Sequence, residues 1–221
     1  VSYLPQNSPE IVITAQPDSR AVGQGSDVTF THGSSGGTSY QWYYNNTEIP
    51  GATGPTLVLS NVQKTDAGRY AVEVRNPFGS VRSAEALLRV ADDTPVVFVD
   101  PNLVAAIREQ LNKPVGDITE SDMVALSSLN AGNRGIRDLT GIETAFNLTD
   151  LIVQNTPLTS VVPLVGLPNL RLLEISSAGV TDLQPLTALT RLEILCLRDT
   201  PLANLAVLSA FPKLQVLQLG G

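Results

Sequence analysis

The chain has 221 residues, a formal net charge of −7 and 43% hydrophobic residues. This composition is typical of a folded globular protein of one large or two ordinary domains, and it excludes a disordered chain. No apolar run approaches the roughly 18 residues that a membrane-spanning helix needs, so we expect no membrane insertion.

The acidic charge lies almost entirely in the second part of the chain. Residues 1–91 hold seven acids and six bases, whereas residues 92–221 hold fourteen acids and eight bases. Binding to a phosphate backbone needs clustered Lys and Arg, so we expect no nucleic-acid partner. His32 and Cys196 are the only residues of their types, which excludes an intrachain disulfide and leads us to expect no metal and no cofactor.

The first part of the chain has the pattern of a β-sandwich. Residues 1–8 are interpreted as an N-terminal extension and residues 9–91 as the sandwich domain. Turn-forming residues at 23–25, 33–37, 45–46 and 51–55 separate runs with alternating apolar residues. These runs predict strands at residues 11–14, 28–32, 39–43, 56–59, 69–75 and 81–90.

Two features of these strands resemble an immunoglobulin-like domain of the intermediate type. Trp42 lies on the third strand, and Asp66-Ala67-Gly68-Arg69-Tyr70 matches the family's D-x-G-x-Y corner. The resemblance implies that the Tyr70 hydroxyl bonds back to its loop. The two family cysteines would fall at His32 and Val72, so packing around Trp42 must replace the disulfide.

His32 has two interpretations. Because histidine titrates near neutral pH, it could be a ligand or a pH switch. The alternation also favours a core position in which the backbone satisfies both ring nitrogens, and we prefer this second interpretation.

Residues 92–95 form a short polar linker that ends in Pro95, and residues 96–125 predict a helical segment. Asp100-Pro101 is a strong helix start, and Leu103, Ile107 and Leu111 follow at helical spacing. A second helix is predicted after Thr119, where Asp122 takes the place of Glu in a capping box.

Residues 126–221 repeat with a period of 22 residues. Leu126 starts the first of four complete turns, which are followed by the strand of a fifth. Apolar residues recur at places one, four, six, eleven, fourteen and seventeen of each turn. We predict a short parallel strand at about places two to six, and a helical turn that begins at Pro163 and Pro185.

The repeats resemble those of internalin-like bacterial leucine-rich-repeat proteins, and residues 98–129 resemble the helical caps of those proteins. The expected fold is therefore multidomain: an all-β immunoglobulin-like sandwich followed by an α/β leucine-rich-repeat solenoid with a helical N-terminal cap. Internalins carry their immunoglobulin-like domain after the repeats, whereas here it comes first. The Asn that the family usually has at place nine is replaced by Arg134, Thr156, Ala178 and Thr200. Threonine can offer a hydroxyl instead of an amide, but Ala178 cannot.

The concave face of the solenoid is the predicted binding surface. Leu172, Ile194 and Val216 would stack on adjacent strands beside Ile152 and Cys196, and polar residues would surround them. An apolar patch with a polar rim is typical of a protein-binding surface. One alternative explanation is that short parallel strands favour β-branched residues wherever they point. A second alternative is that further C-terminal turns or a partner chain cover this end of the repeats. The full predicted surface comprises Asp150, Ile152, Gln154, Arg171, Leu172, Glu174, Glu193, Ile194, Cys196, Arg198, Val216 and Gln218.

We therefore expect a non-catalytic, secreted or surface-displayed bacterial protein for recognition or adhesion, whose signal peptide lies outside this sequence. A protein partner such as a cell-surface or matrix protein is favoured over a polysaccharide. The alternative is a passive spacer in a larger exported enzyme. No catalytic residue is predicted, although Asp150 and Glu174 could approach each other as an acid pair.

Overall fold

The computed structural model describes residues 10–202 and 205–220, so the predicted extension at residues 1–8 lies outside the described residues. The contacts divide the chain into two compact units, Val1–Ala91 and Asp92–Gly221. Within the described ranges, none of the helices is both long and apolar enough to cross a membrane.

The described part of the first unit consists of short strands in three sheets. The strands are β1 (Val12–Ala15), β2 (Arg20–Gly23), β3 (Val28–Thr31), β4 (Gly33–Ser35), β5 (Ser39–Tyr44), β6 (Thr47–Glu48), β7 (Thr56–Leu59), β8 (Gly68–Asn76), β9 (Gly79–Arg82) and β10 (Ala86–Ala91). β1 pairs with β4, β3 pairs with β7, and the remaining strands form a sheet in the order β2-β10-β8-β5-β6, in which β9 also pairs with β8.

Aromatic side chains from two of these sheets meet in the core of the first unit. Phe30 on β3 packs against Trp42 on β5 and Tyr70 on β8, with ring centroids 6.3 and 4.9 Å apart. All three rings are buried. The Tyr70 hydroxyl donates to the Asp66 carbonyl at 2.8 Å, which confirms the predicted corner. The first unit is an immunoglobulin-like β-sandwich.

Four strand predictions were incomplete. β2 and β6 were not predicted, and β4 occupies part of the predicted 33–37 turn. The predicted strand at 81–90 is two strands, because Ser83 interrupts the ladder with its own side chain. The Ser83 hydroxyl accepts from the Val72 N–H at 3.0 Å and donates to the Ala84 carbonyl at 2.8 Å.

The prediction for His32 was partly wrong. Its ring lies in the core region, with centroids 5.9 Å from Trp42 and 5.1 Å from Tyr40. Backbone groups do not satisfy its nitrogens: Nε2 lies 3.2 Å from the Ser34 hydroxyl, and Nδ1 has no hydrogen-bond partner in the described ranges. β3 ends at Thr31, so His32 follows the strand and does not belong to it.

The second unit begins with two helices, α1 (Pro101–Gln110) and α2 (Glu120–Val124). The predicted linker residues lie within this unit, where the Glu120 N–H donates to the Thr94 carbonyl at 3.0 Å. Thr119 and Asp122 form the capping box of α2. Leu103 and Ile107 on α1 are buried, as their spacing predicted.

Asp100 connects the start of α1 to a later segment of the chain. Its carboxylate accepts the backbone N–H groups of Asn102 at 2.8 Å and Arg137 at 2.6 Å. Burial would raise the pKa of Asp100, but these N–H groups favour the charged form and hold the pKa below its ordinary value.

Five three-residue strands follow at intervals of 22 residues and form one parallel sheet in chain order. They occupy places three to five of each turn, a narrower range than predicted. They are β11 (Ser128–Asn130), β12 (Asp150–Ile152), β13 (Leu172–Glu174), β14 (Ile194–Cys196) and β15 (Val216–Gln218).

A 3₁₀ turn returns the chain after each of the first four strands, at Ile142–Thr144, Val162–Gly166, Gln184–Ala188 and Ala206–Ala210. Pro163 and Pro185 stand at the start of the second and third of these turns, as predicted. The core of this unit consists of the repeated apolar columns. In the third 22-residue repeat, for example, Leu170, Leu173 and Ile175 are fully buried.

Two of the place-nine residues make the predicted hydroxyl contacts in different ways. Thr200 donates to the Ile175 carbonyl of the preceding turn at 3.1 Å. Thr156 donates within its own turn, to the Val153 carbonyl at 2.7 Å. Only the Thr200 bond therefore joins neighbouring turns.

Candidate functional site

The register of the parallel sheet aligns side chains from successive turns. Asp150, Leu172, Ile194 and Val216 are direct partners on adjacent strands. A second aligned column lies two residues further along: Ile152, Glu174, Cys196 and Gln218. Because alternate residues of a strand point to the same face, the two columns share one face of the sheet. We call the surface formed by these eight residues the outer sheet face.

The aliphatic residues of the outer sheet face differ in exposure. Val216 is 40% exposed, while Ile152, Leu172 and Ile194 are half-buried. Leu172, Ile194 and Val216 lie side by side in register and form a stripe across three strands. We call these three residues the apolar stripe.

Cys196 contributes little to this surface, because only 8% of it is exposed. Burial, and secondly the nearby Glu174 carboxylate, raise the pKa of the Cys196 thiol. A thiol with a raised pKa has little thiolate at neutral pH and is a poor nucleophile or metal ligand. In the described ranges, no group of three or more His, Cys, Asp or Glu residues could hold a metal ion.

Arg171 and Glu193 form an ion pair at the rim. Arg171 donates from Nε at 3.1 Å and from Nη2 at 2.8 Å, so the guanidinium binds both carboxylate oxygens. The hydrogen bond to Glu193 raises the pKa of Arg171, and the same bond lowers the pKa of Glu193. The carboxylate of Glu193 therefore neutralises the positive charge of Arg171.

The two carboxylates of the outer sheet face have different surroundings. Asp150 accepts the Thr149 hydroxyl at 2.5 Å. Glu174 lies on the next strand with Ile152 and Cys196 as its direct partners, and its carboxylate has no hydrogen bond or ion pair to any described residue. The direct strand partner of Asp150 is Leu172. Asp150 and Glu174 are therefore diagonal neighbours on adjacent strands and do not face each other directly.

The remaining predicted site residues lie near the ends of the strands. Gln154 and Gln218 are half-buried, and Arg198 is exposed. Ser176, which occupies the same place as Gln154 and Arg198 in its own turn, is 7% exposed. Its hydroxyl has no hydrogen-bond partner in the described part of the chain.

Two polar columns with the same 22-residue spacing were not predicted from the sequence. Asn133, Asn155, Ser177 and Asp199 all have left-handed backbone conformations, and Asn155 donates to the Asn133 side-chain oxygen at 3.0 Å. In the second column, Asn147 donates to the Val124 carbonyl of α2 at 2.9 Å, and Asn169 donates to the Phe146 carbonyl of the preceding turn at 3.0 Å. The recurrence of small amides at a fixed place was the signal that could have revealed them.

A polar cleft of about 590 Å³ lies between α1 and the residues at and just after the end of β11. Glu109 and Arg134 form an ion pair of 2.6 Å at this cleft. Its other polar lining side chains are the amides of Gln110, Asn130 and Asn133.

A charged network covers part of the six-stranded sheet in the first unit. Arg75 donates to Glu73 at 2.7 Å and to the Tyr43 hydroxyl at 3.0 Å, and Tyr43 also donates to Glu73 at 2.7 Å. The guanidinium of Arg82 lies 4.2 Å from the centre of the Tyr43 ring. The charged groups of this network therefore bond to other members of the same network.

The chain is similar to known proteins over parts of its length. The family model described as "Immunoglobulin domain" matches residues 9–76. Endoglucanase C from Cellulomonas fimi is 37% identical over 101 residues, which are 43% of this chain but 9% of that enzyme. The chain thus spans less than a tenth of the length of this relative.

A crystal structure of an internalin from Listeria monocytogenes is similar to a larger share of the chain. It is 27% identical with a TM-score of 0.56, and the similarity covers 58% of this chain and 39% of the internalin chain. The comparisons therefore support an immunoglobulin-like domain in residues 9–76 and a structural likeness to an internalin over part of the chain.

Proposed function

We propose that this chain is a non-catalytic extracellular recognition or adhesion module that binds a protein partner through the outer sheet face. In this proposal the second unit is an internalin-like leucine-rich-repeat domain, α1 and α2 cap its first turn, and the immunoglobulin-like unit is a spacer. The likeness to the internalin and the 22-residue strand spacing support this assignment.

The single observation that carries the proposal is the alignment of the apolar stripe. Leu172, Ile194 and Val216 are direct strand partners, and the Arg171–Glu193 ion pair lies beside them. A partly exposed aliphatic surface with a polar rim excludes water when a complementary protein surface covers it. Rim charges mainly set specificity and association rate.

The same residues offer poor conditions for catalysis. Cys196 is buried, Asp150 accepts a hydroxyl from its neighbour, and Glu174 has aliphatic and thiol neighbours in its column. General acid–base or nucleophilic catalysis requires a base within hydrogen-bonding reach of the reacting group. These surroundings favour binding over catalysis.

A binding screen tests this proposal. The labelled 221-residue chain would be tested against cell surfaces, matrix proteins and polysaccharides, together with a Leu172→Glu/Ile194→Glu variant that circular dichroism shows to be folded. We expect saturable binding to a protein ligand that the variant loses, because two carboxylates would have to be buried without partners.

The matched control is Val162→Glu/Val165→Glu, which places the same two charges on an exposed 3₁₀ turn, where the valines are 60% and 47% exposed. This control should bind as the natural chain does. Binding that survives in the Leu172→Glu/Ile194→Glu variant would exclude the outer sheet face as the binding site.

A second candidate function follows from the likeness to endoglucanase C. The chain could serve as a non-catalytic segment of a larger exported enzyme, since the matched part is 9% of that relative. The complete coding sequence distinguishes the two candidates. A hydrolase-like catalytic domain in the same reading frame, together with no saturable binding in the screen, would favour the spacer function.

A further inference from the structure

Glu174 occupies the centre of the outer sheet face. It lies on β13, the third of the five strands, and its direct strand partners are Ile152 and Cys196. Leu172 precedes it by two residues on the same face. Its nearest neighbours on this face are therefore aliphatic and thiol side chains, and the other carboxylate, Asp150, lies diagonally across from it.

The other charged residues of this surface form no ion pair with Glu174. Arg171 is bound by both oxygens of Glu193, and Asp150 has the Thr149 hydroxyl. Arg198 is exposed and forms no ion pair with Glu174. No described residue donates a hydrogen bond to the Glu174 carboxylate, so this half-buried residue relies on solvent water for its hydration.

A partner that covers the apolar stripe would also remove this water. Burying a carboxylate without a partner is unfavourable because the charge loses its hydration, and an opposite charge with good geometry can offset this loss. The Glu174 carboxylate can accept hydrogen bonds from a cationic side chain of such a partner.

Building on the proposed function, we propose that the partner is a protein segment that places a lysine or arginine against Glu174 and aliphatic side chains against the apolar stripe. The complementarity of charge selects this occupant. An anionic or purely aliphatic segment would leave Glu174 buried without a counter-ion, so it would be rejected.

Selection from a phage-displayed library of random dodecapeptides on the full 221-residue chain tests this inference. We expect the enriched peptides to contain a basic residue flanked by aliphatic residues. For a synthetic copy of an enriched peptide, Glu174→Gln should weaken binding by roughly tenfold or more, as measured by fluorescence anisotropy. Replacing the basic residue of the peptide with glutamine should have a similar effect, and the two changes together should cost little more than either one alone.

Asp117→Asn is the matched control, because Asp117 is an exposed acid in the segment between α1 and α2. It removes the same charge and should leave the affinity unchanged, which separates a local contact from a general loss of negative charge.

The possible results separate this inference from the proposed function. Peptides that lose binding in the Leu172→Glu/Ile194→Glu variant but bind Glu174→Gln normally would overturn the role of Glu174 and leave the docking face intact. Peptides that bind both variants normally would overturn both proposals. A failure to enrich any peptide would overturn the preference for a basic segment, while the screen of proteins would still test the face.

Discussion

Glu73 shows how a single side chain in the first unit connects charge to stability. Its hydrogen bond to Arg75, with further bonds to Ser80 and Tyr43, lowers the pKa of Glu73 from 4.5 to about 2 against the opposing effect of burial. The hydrogen bond to Glu73 correspondingly raises the pKa of Tyr43. Since the pKa of Glu73 is lower in the folded than in the unfolded chain, its ionised form stabilises the fold.

We expect Glu73→Gln to lower the free energy of unfolding of the first unit by about 1 kcal/mol at neutral pH, since solvent screens this partly exposed network. The stabilisation is complete above the unfolded pKa and is lost as the pH falls from 4.5 toward about 2. The difference between the variant and the natural chain should therefore shrink over this range. Fluorescence of Trp42, the only tryptophan, reports urea unfolding of this unit.

Glu85→Gln is the control for this experiment, because it removes a more exposed ion pair with Arg69, whose side chain is 61% exposed. It should change stability less than Glu73→Gln does. A difference for Glu73→Gln that stays constant from neutral pH to about pH 2.5 would contradict the assigned role of its charge.

The residues that replace the disulfide expected from the family resemblance are also visible at this scale. Val72 is fully buried beside Trp42, its direct strand partner, and the His32 ring packs edge-on against the Trp42 ring. The Trp42 indole donates to the Gly54 carbonyl at 3.1 Å, so its polar group is satisfied in the core. The sequence predicted which positions would pack together, but it could not predict how the His32 nitrogens would bond.

At the scale of the elements, side-chain amides connect the turns of the second unit. Asn169 donates to the Phe146 carbonyl of the preceding turn at 3.0 Å and accepts from Arg191 of the following turn at 3.2 Å. One amide therefore joins three successive turns. Backbone groups between the turns would otherwise need water or another side chain as partners.

Asn169→Ala should lower the stability of the second unit by about 1–2 kcal/mol, because it leaves a partly buried carbonyl with fewer hydrogen bonds. Labelling of Cys196 across a urea series measures this, since the only cysteine is buried in the folded unit. Gln184→Ala changes an exposed side chain of a 3₁₀ turn and should have little effect. Equal midpoints for the two variants would show that the amide does not stabilise the turns.

The sequence predicted elements with a local signal better than elements that depend on distant pairing. The capping residues Asp100 and Thr119 both act as predicted, because caps bond to residues two or three positions away. β2 was missed because its four residues form a strand only through parallel pairing with β10, more than 60 residues further along the chain. The break between β9 and β10 likewise depends on the Ser83–Val72 bond between strands.

The candidate site was predictable to a similar degree. The 22-residue period placed Leu172, Ile194 and Val216 in one column, and the register has them as direct partners. The burial of Cys196 and the pairing of Arg171 with Glu193 depend on side-chain conformation, which the period does not determine. The sequence therefore indicated the alignment of this surface, and the structure supplied its exposure and charge balance.

At the scale of the whole molecule, the described residues form two hydrophobic cores. One takes its buried members from residues 28–90 and surrounds Trp42, and the other takes them from residues 103–211. The second core consists of the repeated columns, in which each turn packs against its neighbours. A cavity-forming substitution in one repeat should therefore lower the stability of the second unit and leave the packing around Trp42 unchanged.

We expect Leu173→Ala to destabilise the second unit by about 2–5 kcal/mol, because Leu173 is fully buried at the centre of β13 and the change leaves a cavity. The midpoint for Cys196 labelling should fall by about 1–2 M urea, whereas the Trp42 fluorescence midpoint should not change. Val72→Ala, a fully buried residue of the first unit, should have the opposite pattern. If either variant moved both midpoints together, the two cores would unfold as one cooperative unit, and the proposed spacer and recognition domains would not be energetically independent.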